Sequence, residues 1–121
     1  MDLTATTEQA GGVSVVTLVG RIVLGEESAL LRETVTGLLN QGHRKILLDL
    51  AGVTYIDTSG LGTLTGGLSK ARKEGGDLKL ASLAPKLQDV MQITKLYTVF
   101  EIFDDRKAAV ESFGQSAGAG A

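Results

Sequence analysis

A short, densely apolar run in the middle of the chain constrains the fold most: residues 45–50 read Lys-Ile-Leu-Leu-Asp-Leu. Such a run is typical of a central strand that other elements cover on both faces. Strands of this kind occur in parallel sheets, where helices connect consecutive strands and pack on the sheet. We therefore expect an α/β fold built around residues 45–50.

The rest of the chain predicts helices and strands in alternation after an opening hairpin. The predicted strands cover residues 3–8, 13–19, 45–50, 78–82 and 99–103. The first predicted helix covers residues 26–41, and the second follows Asp57 and ends at the glycines 75 and 76. The third begins at Pro85, and the last begins near Asp104 or Asp105. With right-handed crossovers, this order predicts a mixed, largely parallel sheet of about five strands packed with about four helices.

Helical periodicity predicts which side of each helix is buried. The predicted buried residues, from the first helix to the last, are Leu31, Val35 and Leu38; Leu61, Leu64, Leu68 and Ala71; Leu87, Val90, Met91 and Thr94; and Ala109, Val110 and Phe113.

The length of 121 residues predicts one domain, over residues 1–113. Residues 114–121 are Gly, Ala and Ser with one Gln, and we expect a disordered tail there. The net charge of −2, with scattered basic residues, argues against a nucleic-acid partner. The chain starts without signal-peptide features and has no apolar run of membrane-spanning length. We expect a cytoplasmic protein with no membrane partner, a monomer or weak dimer when free.

The sequence contains few residues that could bind a metal or act as a thiol nucleophile. Cysteine is absent, which excludes disulfides, thiolate metal sites and thiol nucleophiles. The only histidine, His43, lies in a polar turn and is expected to be a solvated loop residue. We therefore expect neither a metal nor a cofactor.

The second predicted helix begins at a carboxylate, that of Asp57, followed by the hydroxyls of Thr58 and Ser59. One interpretation is that one of these side chains caps the helix, which stabilises it by about 1 kcal/mol. Capping does not explain the interior glycines, which cost about 1 kcal/mol each relative to alanine. They indicate either a smooth surface that a partner approaches or tight packing inside the domain, and both interpretations stay open. These glycines are Gly60, Gly62, Gly66 and Gly67.

Known catalytic templates do not fit this segment. A dinucleotide-binding fingerprint lacks its third glycine, a phosphate-binding loop lacks the Lys-Ser/Thr pair after Gly67, and a hydrolase elbow lacks its two glycines. No base for Ser59 is evident. Asp49 and Asp57 are expected to have separate structural roles, because one belongs to an apolar strand and the other to a helix start. We expect a protein that is not an enzyme.

The same segment resembles the signature of STAS domains, a family named for sulfate transporters and anti-sigma factor antagonists. The resemblance rests on Asp49-Leu50, Val53 and Ile56-Asp57-Thr58-Ser59-Gly60-Leu61-Gly62. Similar elements occur at Gly20-Arg21-Ile22, at the helix begun by Pro85, at Leu96 and at Val99-Phe100-Glu101-Ile102-Phe103. About residues 3–113 are covered.

The resemblance implies an anti-sigma factor antagonist, which binds an anti-sigma factor, often a serine kinase, and so releases a sigma factor. The kinase, supplying ATP and magnesium, phosphorylates a hydroxyl in the family's Asp-Ser-Ser/Thr-Gly motif, and a serine phosphatase removes the phosphate. Alignment of the motif gives Ser59 as the acceptor, with Thr58 as the alternative. The residues implied to contact the partner are Asp57, Thr58, Ser59, Gly60, Leu61, Gly62 and Arg21.

Two other functions remain open. STAS domains also serve in stressosome-like scaffolds and lipid-transport complexes without a phosphorylation cycle, so a fold alone does not give the partner. The second is nucleotide binding or hydrolysis, and the glycines after Ser59 are the only sequence feature that suggests it.

Overall fold

The computed structural model describes residues 1–120, with side chains described through Gly114. The strands are β1 (Leu3–Ala10), β2 (Val13–Ile22), β3 (Lys45–Ile56), β4 (Asp77–Ala81) and β5 (Ile102–Phe103). The helices are α1 (Glu26–Asn40), α2 (Thr58–Lys73), α3 (Pro85–Ile93) and α4 (Arg106–Gly120), with a short 3-10 helix over Leu96–Thr98. This order confirms the predicted α/β fold.

The strands form one mixed sheet in the order β1-β2-β3-β4-β5. The β1–β2 pair is an antiparallel hairpin, and the other neighbouring pairs are parallel. Leu47 of β3 pairs with Val15 of β2 on one side and with Lys79 of β4 on the other. The apolar run therefore lies in the interior of the sheet, as predicted.

Each face of the sheet has its own apolar core. Because successive strand residues point to opposite faces, Ile46 and Leu48 join the larger cluster, which also contains residues of α1, α2 and α3. Leu47 joins the smaller cluster, to which α4 contributes Ala109 and Phe113. The first three helices thus cover one face, and α4 covers part of the other.

Most of the predicted helix faces are buried, with exceptions near helix ends. All three positions predicted for α1 are buried. Leu61, Val90 and Val110 are only half-buried at the edges of their clusters. The prediction for Thr94 is wrong: this residue is exposed just after α3, and its hydroxyl donates a hydrogen bond of 2.7 Å to the carbonyl of Val90.

Every strand differs from its predicted bounds, and for β3 and the last strand the cause is clear. β3 continues to Ile56, because its later residues still pair with β2, with Ile22 opposite Ile56. The predicted strand over residues 99–103 is wrong in its first part. The N–H of Val99 donates to the carbonyl of Leu96 at 2.9 Å and closes the 3-10 helix, so only Ile102–Phe103 pairs with β4.

The end of the chain holds the last helix and the predicted tail. α4 begins at Arg106, directly after the predicted Asp104–Asp105 start, and the Asp105 carboxylate accepts from the N–H of Ala108 at 2.8 Å. The helix bounds extend to Gly120, but side chains from residue 115 onward and Ala121 lie outside the described residues. The tail over residues 114–121 therefore stays a prediction.

Arg106 fastens α4 to three strands. Its guanidinium donates hydrogen bonds of 2.8 Å to Asp49 in β3 and 2.8 Å to Thr17 in β2, and it also contacts Glu8 in β1. Asp49 is 7% exposed, and these bonds together with that from the N–H of Ala51 satisfy its carboxylate. Pairing with Asp49 raises the pKa of Arg106 above its ordinary value.

Candidate functional site

Asp57 organises the loop between β3 and α2. It is the N-cap of α2, and its Oδ1 accepts a hydrogen bond of 2.8 Å from the N–H of Gly60. Its Oδ2 accepts another of 3.0 Å from the N–H of Leu24, in the loop after β2. These two bonds, the Gly60 bond first, hold the pKa of the Asp57 carboxyl below its ordinary value. The helix-capping interpretation is therefore right for Asp57.

The Ser59 hydroxyl lies in the first turn of α2 and faces α1. It is half-buried, and its Oγ lies 3.4 Å from the Oγ of Ser28 in α1. The Ser28 hydroxyl donates to the carbonyl of Val23 at 2.7 Å, so the proton between the two serines comes from Ser59. Within the part of the chain that the structure describes, the Ser59 hydroxyl is held by this one long, weak hydrogen bond.

The glycines of α2 divide between the two explanations that the sequence left open. A Cβ at Gly60 would lie 2.4 Å from the carbonyl oxygen of Ile22, so Gly60 allows α2 to pack closely on the end of β2. A Cβ at Gly62 or Gly66 would meet nothing within 4 Å. A Cβ at Gly67 would make ordinary contacts with Val35 and Leu78. Tight packing thus explains Gly60, whereas no contact within the described residues requires glycine at 62 or 66, and the partner-surface interpretation of these two positions stays a prediction.

A groove of about 480 Å³ runs between α1 and α2, with Ser59 in its wall. Arg32 and Thr36 of α1 form one side of it, and residues of α2 form the other. The complete lining is Arg32, Val35, Thr36, Ser59, Gly62, Thr63, Gly66, Gly67 and Lys70. Two cations and no carboxylate line the groove, so it presents a positive surface next to the Ser59 hydroxyl.

The structure places most of the predicted contact residues together. Thr58 is exposed beside Ser59, while Leu61 packs partly on the core. Arg21 lies elsewhere: Ile22 points into the larger core, so the preceding residue points to the opposite sheet face. There its guanidinium lies 5.8 Å from the Tyr55 ring and does not line the groove.

The remaining candidate residues have separate surroundings. Asp49 binds Arg106 and Asp57 caps α2, so the two carboxylates have different partners, as expected. His43 is half-buried in the turn after α1, rather than fully solvated. Among residues 1–120 no cluster of His, Asp or Glu could hold a metal ion.

Ser28 and Arg32 are site residues that sequence reasoning did not find. Ser28 is 2% exposed and lies three residues before Leu31, on the apolar stripe of α1. A serine on such a stripe was the available signal, because a buried hydroxyl needs a polar partner. Arg32 gave no signal, since it becomes part of the site only when α1 and α2 lie side by side.

No helix in the described part of the chain has the length and apolar character needed to cross a membrane.

The Ser28 and Ser59 hydroxyls, the Asp57 cap and the groove form a site at the surface of the domain.

Comparison with known proteins agrees with the fold. The anti-sigma-B factor antagonist of Bacillus subtilis is 33% identical over 82 residues, which cover 68% of this chain and 74% of that protein. The crystal structure of tm1081 from Thermotoga maritima has a TM-score of 0.79 and 28% identity, covering 90% of this chain and 93% of the other. The phosphorylated form of the Bacillus cell fate determinant SpoIIAA has a TM-score of 0.70 and 18% identity, covering 90% and 98%.

A family model gives the assignment. The model described as the STAS domain matches residues 4–109, from the first strand to the start of the last helix. This range contains the sheet, the Asp57 cap and the Ser59 hydroxyl. The chain belongs to the STAS domain family.

Proposed function

We propose that the protein is an anti-sigma factor antagonist controlled by phosphorylation of Ser59. It is a cytoplasmic binding module, not an enzyme, and it sequesters an anti-sigma factor with serine kinase activity so that a sigma factor is released. The kinase transfers the γ-phosphoryl group of ATP to the Ser59 Oγ, ADP leaves, and a base of the kinase takes the hydroxyl proton. A serine phosphatase hydrolyses the phosphate ester and restores binding.

The accessibility of the Ser59 hydroxyl carries this proposal. A kinase can only modify a hydroxyl that it can reach, and Ser59 is half-buried with one side open to the groove. Among the described residues, only the long bond to Ser28 restrains it. Thr58 is exposed on the same turn and is the alternative acceptor.

The relatives support the partner class. The Bacillus subtilis relative is named as an antagonist of an anti-sigma-B factor, and SpoIIAA, which shares the fold, is described in a phosphorylated form. An antagonist of this kind needs a surface that its partner approaches closely. The open backbone at Gly62 and Gly66, beside Ser59, fits that need.

The domain itself can accept a phosphate on Ser59. The modification adds about −1.5 to −2 charges at neutral pH. The first turn of a helix stabilises an anion by roughly 0.3 to 1 kcal/mol, while Asp57, two residues away, repels it. Water and salt screen both effects at this surface, so the fold is expected to remain intact.

The balance differs in a docked complex. A phosphate pressed to about 4 Å from an acidic group of the partner costs about 4 kcal/mol per charge pair at an effective dielectric near 20. Loss of hydration on docking adds to this cost. Since each 1.4 kcal/mol is about tenfold in affinity, we expect phosphorylation to weaken binding by about two or more orders of magnitude.

The test starts by identifying the protein that co-purifies from native extract. Incubation with ATP and magnesium, followed by mass spectrometry, should locate the phosphate on Ser59. Calorimetric titration then compares the unmodified, phosphorylated and Ser59→Ala forms against this partner. The unmodified and alanine forms should bind, the phosphorylated form should not, and ATP should fail to release Ser59→Ala.

Thr58→Ala is the matched control, because it removes the neighbouring hydroxyl and leaves Ser59 in place. It should be phosphorylated and released normally, and phosphate found on Thr58 would move the mechanism by one residue. Equal affinities of the phosphorylated and unmodified forms would contradict the proposal. Recovery of a scaffold or lipid-transport complex with no phosphorylation would favour the alternative STAS function.

A further inference from the structure

The groove between α1 and α2 is lined by two cationic side chains and by no carboxylate that could balance their charge. Arg32 and Lys70 line it, and no Asp or Glu does. Neither residue forms an ion pair with any residue in the described part of the chain. Arg32 also lacks an acidic neighbour on its own helix face, since Ser28 and Thr36 occupy the positions four residues away. The groove is therefore suited to an anion.

Arg32 lies within reach of Ser59, and Lys70 does not. Ser28 and Arg32 are four residues apart, so their Cβ atoms are about 5 to 6 Å apart on one helix face. The Ser28 Oγ in turn lies 3.4 Å from the Ser59 Oγ. Helical side chains lean toward the N-terminus of their helix, which carries the Arg32 guanidinium toward the level of Ser59. Lys70 lies eleven residues beyond Ser59, roughly 16 Å along α2 at about 1.5 Å per residue.

Phosphorylation of Ser59 would also remove its present contact. The Ser59 hydroxyl supplies the proton between the two serines, because Ser28 donates its own to Val23. The phosphate ester has no such proton, so the present hydrogen bond from Ser59 to Ser28 is lost. The phosphoryl oxygens then have the groove beside them, with Arg32 as the cation in reach.

We propose that the groove between α1 and α2 is an intramolecular site for the phosphate on Ser59 and that Arg32 is the residue that pairs with it. This inference rests on the proposed phosphorylation of Ser59. In the modified protein the guanidinium bonds the phosphoryl oxygens and keeps them in the groove. The same contact neutralises the positive surface that the unmodified domain presents at this position.

The test needs no kinase and no partner. Phosphoserine is installed at position 59 during translation, and the second pKa of its phosphate, about 6 for an unperturbed group, is measured by phosphorus NMR titration at low salt. Pairing with Arg32 stabilises the dianion and lowers this pKa. Arg32→Gln should therefore raise it by about 0.2 to 0.7 units, the range expected of one solvated ion pair. Circular dichroism verifies that each variant is folded.

Lys70→Gln is the matched control, because it removes the same charge from the same groove beyond the reach of the phosphate. It should change the pKa by less than half as much as Arg32→Gln, and Arg32→Lys should retain most of the wild-type value. Asp57 is the charged group near the phosphate in every variant, so its repulsion cancels in the comparison. Equal shifts for Arg32→Gln and Lys70→Gln, or no shift for either, would overturn the inference. Because no partner is present, this result is independent of whether Ser59 controls partner binding.

Discussion

The Asp57 carboxylate and the backbone N–H of Leu24 are joined by a hydrogen bond of 3.0 Å across two loops. The second oxygen of the same carboxylate caps α2 through the N–H of Gly60. One side chain thus links the loop before α1 to the start of α2. Ser28 and Ser59 meet between these two helices, with their Oγ atoms 3.4 Å apart.

Asp57 should make the stability of the domain depend on acidity. Its pKa is lower in the folded chain, because the N–H groups of Gly60 and Leu24 stabilise the carboxylate. Its contribution is therefore complete above the ordinary Asp value of about 4 and is lost as the pH falls through the lower, folded value. Melting curves between about pH 6 and 2 should show a smaller acid-side decline for Asp57→Asn than for the unmodified protein.

Asp57→Ala separates the cap from the charge. Asn remains a good N-cap and Ala does not, so at neutral pH Asp57→Ala should melt roughly 4 to 8 °C below the unmodified protein, with Asp57→Asn between them. If the alanine and asparagine variants melted at the same temperature, the cap would contribute nothing beyond the charge.

Two glycines of α2 should respond to alanine in opposite directions. A Cβ at Gly60 would clash with the Ile22 carbonyl, and we expect Gly60→Ala to lose about 1 to 3 kcal/mol of unfolding free energy. Gly62 has open space around it, so Gly62→Ala should gain about 0.5 to 1 kcal/mol from higher helix propensity. Urea denaturation measures both, and a stabilised Gly60→Ala would refute the close approach of α2 to β2.

Arg106 should contribute strongly to stability through Asp49. Arg106→Met leaves a nearly buried carboxylate without its cation, and we expect a loss of about 1 to 3 kcal/mol, given the partial exposure of the guanidinium. The exposed neighbour Lys107 is the control, and Lys107→Met should change stability by less than about 0.5 kcal/mol. In a double-mutant cycle, Asp49→Asn should cost much less when Arg106 is already replaced; additive losses would contradict a direct pair.

The predicted tail can be tested by deletion. Residues 114–121 have little apolar surface to bury, so removing them should change the melting temperature by less than about 2 °C. Truncation from residue 109 onward is the comparison, because it removes Ala109 and Phe113 from the smaller core and should lower melting by many degrees. A large fall for the short deletion would show that those residues pack on the domain.

The sequence predicted those helices and strands that are determined by the residues within the segment itself. Residues 46–48 are apolar on both faces and lie in the interior strand, and Pro85 begins a helix where its missing N–H costs nothing. The sequence predicted that Asp57, Thr58 or Ser59 caps α2, but not which of the three does so. The structure shows that the Asp57 carboxylate accepts from the N–H groups of both Gly60 and Leu24, and the position of Leu24 could not be read from the sequence.

Features that depend on the meeting of distant segments could not be predicted. Gly60 and Gly62 look alike in the sequence, yet one faces the Ile22 carbonyl and the other faces open space. Likewise, Val99 has the β-branched side chain of a strand residue, but its N–H is taken by the preceding 3-10 helix. The groove lined by Arg32 and Ser59 exists only because two crossover helices pack in parallel beside each other.

The Arg106 contacts also bear on how the chain reaches its fold during synthesis. Glu8 and Thr17 precede Arg106 by 98 and 89 residues, and Asp49 precedes it by 57. A ribosome-bound chain can therefore form the hairpin, the central strand and the helices around Ser59 while the Asp49 carboxylate still lacks its cation. Only when the last helix has emerged from the exit tunnel can the second sheet face close, so the contacts of Arg106 form after the rest of the sheet has been synthesised.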